Sequence, residues 1–511
     1  MYDEYLRNHL ETLKYMESGP IMMLKKFQTE ELHVVYTFFT AIGEKEWLLE
    51  CLFTGFSKLG NQILDKFENN TKDLQNYYTI KELISLRKGC IKLLINSFEN
   101  DQDFYHKIDQ CFFKFINNND QSSQVAKNLP KFMDYEIRYL KKKTENEIEE
   151  LFEYFIQIFK FVSEKDVFKK YYEFFLSRRL VSSYNIDEEI EKKIILKLKL
   201  NSWSNFTLKM EDMIKNVQAS KENYLEFQKY QKTAMSGENI IHIMPWIVKQ
   251  SIWPVSLKIN CILPKMLSNN LNVFNEFYQK QHSGHILKWQ FNVGSSEMIF
   301  SLYSVTPITP STKSPLPIFK TGKAIKEKKY NFKNYLLIVS PFQMIILLQF
   351  NSLLKDSPPT YSFQELIQLT GIPEKTMKIT LSGLCTKKYP ILKRISYSKD
   401  NIQEFKYTIN LKFKNSQRRF KLMKISQNYS ETNKNVNMHW VKKEREVLLE
   451  SMIMKIMKSR RVIKHKELIF ELTKLLKDKF IPSITMIKQR TNNLIDREYI
   501  EKDVNLYRYL A

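Results

Sequence analysis

The C-terminal stretch LLESMIMKIMKSRRVIKHKELIFELTKLLKDKFIPSITMIKQRTNNLIDREYIEKDVNLYRYLA, residues 448–511, decides the reading of its end of the chain. Leu448, Leu449, Met452, Ile453, Ile456 and Met457 recur at helical spacing and predict a first amphipathic helix. Leu468, Ile469, Leu472, Leu475 and Leu476 predict a second, and Pro482 with Ser483 opens a third that carries Ile484, Ile487, Leu494 and Ile495. Two short β-rich runs, residues 499–501 and 506–510, flank a polar turn. Three helices followed by a hairpin form the winged-helix arrangement, and this module is assigned to residues 440–511.

Upstream, a similar pattern begins at Phe342, passes through residues 363–369 and 375–385, and closes in β-rich runs at 392–397 and 404–413. It predicts a second winged helix. Further runs at 285–293, 297–305 and 335–340 read as strands, so residues 256–425 form an α/β domain. Within it, residues 306–329 carry Pro307, Pro310, Pro315 and Pro317 among Ser, Thr and Lys, and read as a flexible insertion. Residues 426–439 read as a polar linker.

The first half is different. No proline stands between Pro20 and Pro130 or between Pro130 and Pro245, and no glycine between Gly89 and Gly237, so nothing punctuates long helices. Apolar stripes such as Phe112, Phe113, Phe115, Ile116 and Ile148, Leu151, Phe152, Phe155, Ile156, Phe159 predict packed helices, divided into residues 1–125 and a bundle over 126–255. The fold class is therefore mainly α, passing into α/β with two winged-helix modules.

Five cysteines (Cys51, Cys90, Cys111, Cys261, Cys385) lie far apart without a CxxC pair, so neither a metal centre nor a disulfide framework is expected, and no cofactor is indicated. The most apolar stretch, residues 335–350, is interrupted by Ser340, Pro341, Gln343 and Gln349, so no membrane association is expected. With 80 Lys and Arg against 56 Asp and Glu, the net charge of +24 favours acidic partners.

Several segments, in order, resemble the cullin family. KDVFKKYYEFFLSRRLVSS (165–183) is similar to the cullin homology segment, INSFENDQDF (95–104) with FINNN (115–119) to the end of the last helical repeat, and FYQKQHSGHILKW (277–289) and SPFQMIILLQFN (340–351) to the entry of the α/β domain and its first winged helix. MIMKIMKSRRVIKHKEL (452–468) and IDREYIEKDVNLYRYLA (495–511) resemble the family's modification motif and terminus. The resemblance implies a helical cullin repeat at 1–125, a four-helix bundle at 126–255, and a non-catalytic scaffold of a cullin-RING ubiquitin ligase in the cytoplasm and nucleus. It implies a RING-box protein as partner, a ubiquitin-conjugating enzyme brought in through that RING subunit, and a ubiquitin-like cullin modifier with its own conjugating enzyme.

The lysine closing the family's motif is the isopeptide acceptor. Here the motif stands as Met-Lys-Ile-Met-Lys, so the resemblance places the acceptor at Lys458. Helical geometry agrees, because Lys458 points nearly opposite the apolar stripe, and an attacking amine must reach solvent. Lys455 stands where the family usually has Arg and is an alternative acceptor, about 110° from the stripe centre. Lys455, Arg460, Arg461 and Lys464 near Lys458 are like charges that favour a neutral amine there. Strand addition of the RING-box protein would use residues 285–293 and 297–305, with Trp289 and Phe291 as packing residues. Arg178 and Arg179 read equally as a solvated helix face. About 95 residues precede the end of the last repeat, so most of two repeats is missing and recognition of a substrate adaptor is in doubt.

A competing reading starts from the winged helices themselves. Residues 441–511 carry 17 Lys and Arg against 10 Asp and Glu, and the third helix offers Lys488, Gln489, Arg490 and Asn492, residue types suited to phosphate and base contacts. The alternative function is thus a winged-helix nucleic-acid-binding protein.

Overall fold

Long amphipathic helices fill the first half because apolar side chains repeat at helical spacing and nothing interrupts them. The computed structural model describes residue 16 and residues 19–68, 73–118, 121–140, 143–182, 188–234, 240–254, 260–305, 330–351, 359–395, 405–422, 429–503 and 506–510. The predicted insertion at 306–329 lies outside them. Described residues contain no helix long and apolar enough to cross a membrane.

The chain divides into two units, one of residues 1–179, 185–214 and 433–511, the other of 180–184 and 215–432. The first opens with α1 (Pro20–Lys26), α2 (Thr29–Ile42), α3 (Lys45–Glu68), α4 (Asp73–Ser97) and α5 (Gln102–Ile116), followed by α6 (Gln121–Tyr139), α7 (Glu145–Phe161), α8 (Lys165–Ser182), α9 (Glu188–Leu200) and the start of α10 (Leu208–Ala234). Local signals set the starts. Asp101 caps α5 by accepting from the Asp103 amide, and Thr144 with Glu147 closes a reciprocal capping box on α7. Of the predicted stripes, Phe112, Phe115, Ile116, Phe152, Phe155, Ile156 and Phe159 are buried, whereas Phe113 is exposed. At Gly60 on α3, a Cβ would stand 2.6 Å from the Phe115 ring, so glycine lets α3 and α5 approach.

Two fully enclosed arginines set the register of these helices. Arg87 pairs with Asp109 at 2.8 Å and donates to Gln157 at 3.0 Å. Arg179 donates to both carboxylate oxygens of Glu191, at 2.7 and 3.0 Å, and to Asp134 at 2.9 Å, tying α8 to α9 and α6. The solvated-face reading of Arg179 is thereby corrected: the residue is 2% exposed. It falls on the side of α8 that buries Tyr172, Leu176 and Leu180, where a cation survives only with its charge matched.

The C-terminal part of this unit is a winged helix. It comprises α15 (Tyr429–Arg460), β7 (Val462–Lys464), α16 (His465–Leu476), α17 (Ile484–Asp496), β8 (Ile500–Asp503) and β9 (Leu506–Tyr509), the strands pairing in the order β7-β9-β8. Leu449, Ile453, Ile456 and Met457 bury against Leu468, Leu472, Leu476, Ile487 and Leu494. Leu475 and Ile484, expected inside, are exposed, and β7 adds a strand that sequence patterning missed. The expected linker at 426–439 is also corrected. Helix α15 already runs from Tyr429, since that polar segment contains no proline or glycine to stop it.

The second unit holds the rest of α10, α11 (Lys265–Gln281) and a sheet of β1 (Ser296–Val305), β2 (Tyr330–Val339) and β6 (Arg419–Lys421) in the order β1-β2-β6. β1 and β2 run antiparallel over ten pairs, from Ser296 opposite Val339 to Val305 opposite Tyr330, and β6 joins β2 in parallel. The residues that interrupt the apolar run 335–350 mark the strand-to-helix junction. Ser340 is the N-cap of α12 (Pro341–Gln349), Pro341 its first residue, and Gln343 the capping-box partner. With α13 (Phe363–Thr370), α14 (Glu374–Leu384) and the sheet β3 (Tyr361–Ser362), β5 (Lys406–Ile409), β4 (Leu392–Ile395), this completes the other winged helix.

Residues 285–293 are not a strand. Their apolar alternation is real but faces helices and sheet core in turn: Leu287 and Trp289 pack on the Phe227, Phe274, Phe277 and Tyr278 cluster, and Phe291 on the sheet core. Alternation without a partner strand gives an unpaired, irregular segment that ends in a turn.

Candidate modification site and open sheet edge

Lys458 lies in the last turn of α15, where the buried neighbours Ile456 and Met457 turn its side chain outward. The lysine is exposed, and no carboxylate lies within ion-pair distance of its amine among the described residues. Its position near the helix C-terminus suits a cation, since carbonyl dipoles converge there.

The helix stop that follows is firmly built. Arg461 adopts φ 62°, donates its amide to the Met457 carbonyl at 2.9 Å, and accepts from the Tyr509 amide at 2.8 Å. Its guanidinium lies 5.4 Å from the centre of the Tyr509 ring. The end of β9, the last strand, thus fixes where α15 terminates and how Lys458 projects. Arg460 is held by Glu471 at 2.9 Å. Lys455, one turn earlier, is also exposed, so both candidate amines reach water.

In the other unit, β1 pairs only with β2, leaving its outer backbone edge open among the described residues. Leu302 is buried, with Met298 and Phe300 half-buried on the same face, and Ile299 is 72% exposed on the opposite face. The Trp289 indole donates to Asn275 on α11 at 3.1 Å and its ring stands 5.6 Å from Phe274, while Phe291 packs on the sheet core. Both are half-buried and neither belongs to a strand.

Arg490, expected on an exposed recognition helix, instead turns toward α15, within 3.5 Å of Glu446 and 3.4 Å of Glu450. Lys488, Gln489 and Asn492 remain exposed. A contact that sequence patterning missed joins α15 to α8: Arg445 meets Asp166, and Lys170 meets Glu444 at 2.5 Å.

Three family models match in sequence: the cullin α solenoid domain over residues 1–224, the cullin α+β domain over 247–413, and the cullin protein neddylation domain over 444–505. The chain belongs to the cullin family. Among similar proteins, Cullin-3 of Dictyostelium discoideum is 28% identical over 552 residues, covering 99% of this cullin and 66% of the relative. Cullin-3A of Arabidopsis thaliana is 29% identical over 516 residues, covering 99% of this cullin and 65% of the relative. Cullin-3 of Caenorhabditis elegans is 29% identical over 532 residues, covering all of this cullin and 66% of the relative. The cullin therefore spans just under two thirds of the length of these relatives. Lys455, Lys458 and Tyr499 fall inside the stretch matched by the neddylation-domain model.

Proposed function

We propose that this cullin is a non-catalytic scaffold subunit of a ubiquitin ligase, activated when a ubiquitin-like modifier is joined through an isopeptide bond to Lys458. The observation that carries the reading is an exposed amine at the end of a helix whose opposite face is buried, inside the stretch matching the neddylation domain. The Lys458 amine attacks a thioester carbonyl presented by the modifier's conjugating enzyme. The amide bond forms, the enzyme's thiolate leaves, and the amine gives up a proton. Lys455 is the secondary acceptor.

The RING-box protein docks by adding an extended segment to the open edge of β1, where main-chain hydrogen bonds supply affinity and the exposed Ile299 side chain supplies an apolar contact. Trp289 and Phe291 serve behind it as packing residues of the same domain. Through the RING subunit a ubiquitin-conjugating enzyme is brought to the scaffold.

Co-expression tests this reading. The chain should co-purify with a RING-box protein through size exclusion at a 1:1 ratio, in a complex insensitive to moderate salt. A chain that stays alone, and instead binds duplex DNA with an affinity falling steeply as salt rises, would establish the nucleic-acid reading. Arg490 speaks against that second reading, because Glu446 and Glu450 neutralise it.

A further inference from the structure

Helix α15 carries a second apolar stripe besides the one it buries. Leu449, Ile453, Ile456 and Met457 face the core of the winged helix. On the other side Trp440, Val447, Met454 and Lys458 follow one another at intervals of seven, seven and four residues, which on a regular helix sets them within about 40° of one direction. Val447 is 62% and Trp440 54% exposed, and Met454 is half-buried at the margin of the core. The acceptor amine thus stands at the end of an apolar strip that leads to it along its own helix.

Single apolar side chains in water are ordinary, and α15 needs none on this side, because its packing energy comes from the buried face. Apolar residues in line with a reactive amine and rimmed by charge have the form of an interface. The rim is basic. Lys443 and Lys455 are exposed within about 60° of the strip. The acids beside it are already matched, Glu444 by Lys170 at 2.5 Å and Glu450 by Arg490 and Arg497 at 3.4 and 3.5 Å.

A partner that modifies Lys458 must bring a thioester carbonyl to bonding distance of the amine, so the body of that partner covers the helix around it. A single domain of about 150 residues has a radius of gyration of about 15 Å, hence a radius of roughly 19 Å. Along the axis Met454 lies about 6 Å and Val447 about 16 Å from Lys458, inside that radius, whereas Trp440 lies about 27 Å away and outside it. We propose that Val447 and Met454 are a docking strip for the conjugating enzyme that carries the modifier, an enzyme presenting an apolar ridge and an acidic rim beside its thioester. The strip deepens the reading of Lys458 as acceptor and rests on it. Docking there holds the thioester over Lys458 rather than over Lys455, which points about 60° away.

Single-turnover transfer from the preformed thioester to the full chain, mixed with a RING-box protein, tests this, with the rate read against the concentration of charged conjugating enzyme. Val447→Asp should raise the half-saturating concentration about tenfold or more while the rate at saturation stays within about twofold of native. Val447→Leu, which keeps an apolar side chain, should hold the native value. So should Trp440→Asp, the same kind of change on the same face but outside the radius. Both positions are exposed, so the urea midpoints of the variants should match that of the native chain. Added salt should raise the native half-saturating concentration, and less so in Lys443→Ala. A native half-saturating concentration in Val447→Asp overturns the proposal, and so does an equal rise in Trp440→Asp or a loss confined to the rate at saturation. If the native chain carries no isopeptide remnant on Lys458, the acceptor reading itself fails and the strip falls with it.

Discussion

Arg445 sets its Nε and Nη2 on the two carboxylate oxygens of Asp166, at 2.5 and 2.7 Å, across 279 residues of chain. Its guanidinium also lies 4.7 Å from the centre of the Phe480 ring and 3.5 Å from Glu164. One side chain of α15 thus gathers two acids of the helical region and an aromatic of its own module. Arg445→Ala should cost about 1–3 kcal/mol, the range for a charged hydrogen-bonding group removed from a partly enclosed pair. Arg445→Lys should recover only part of that, since a single ammonium cannot match both oxygens in a plane. Urea denaturation of the three proteins measures the order.

The Arg179 network gives a larger effect. Removing one member of a buried charge cluster strands the others, so Arg179→Ala should destabilise the chain by about 3–5 kcal/mol. Replacing Arg179, Asp134 and Glu191 together by apolar residues of similar volume should restore most of the loss. Melting temperatures of the single and triple variants decide it.

Burial raises the proton affinity of Glu173, and likewise of Glu164 despite Arg445. A carboxyl whose folded pKa lies above its unfolded value penalises folding once it ionises. The penalty is absent below the unfolded value near about 4.3 and grows as pH rises toward and through the folded value. Glu173→Gln should therefore be more stable than the native chain at pH 7, with the difference vanishing near pH 4. Thermal melts across that range check the sign.

Much of this architecture is legible in the sequence because it rests on local signals. The stripe Leu449, Ile453, Ile456, Met457 reads as one buried face and is one, and the Lys458 side chain consequently projects into water. What escapes reading depends on partners distant in the chain. Residues 285–293 alternate like a strand, yet nothing in a single segment tells whether a neighbouring strand will pair with it. Arg179 and Glu173 look like solvated charges until α6, α9 and α15 close over them, although their placement among Tyr172, Leu176 and Leu180 on one helix was a usable signal. Arg490 is captured by glutamates 40 and 44 residues earlier, a pairing that composition does not reveal.

The open edge of β1 carries its own prediction. Ile299→Lys replaces an exposed side chain, so stability should change by less than about 0.5 kcal/mol. Co-purification with the RING-box protein should nonetheless fall at least tenfold, because the substitution removes the apolar contact and adds a charge at the edge. Equal recovery of partner with native and variant chains would remove β1 from the interface.

The central claim concerns one amine. After reconstituted conjugation of a ubiquitin-like modifier to this chain mixed with a RING-box protein, tryptic mass spectrometry should locate the isopeptide remnant on Lys458. The modified band should disappear in Lys458→Arg and persist in Lys455→Arg. A remnant confined to Lys455 or to a lysine outside α15, with the band unchanged in Lys458→Arg, would contradict the account.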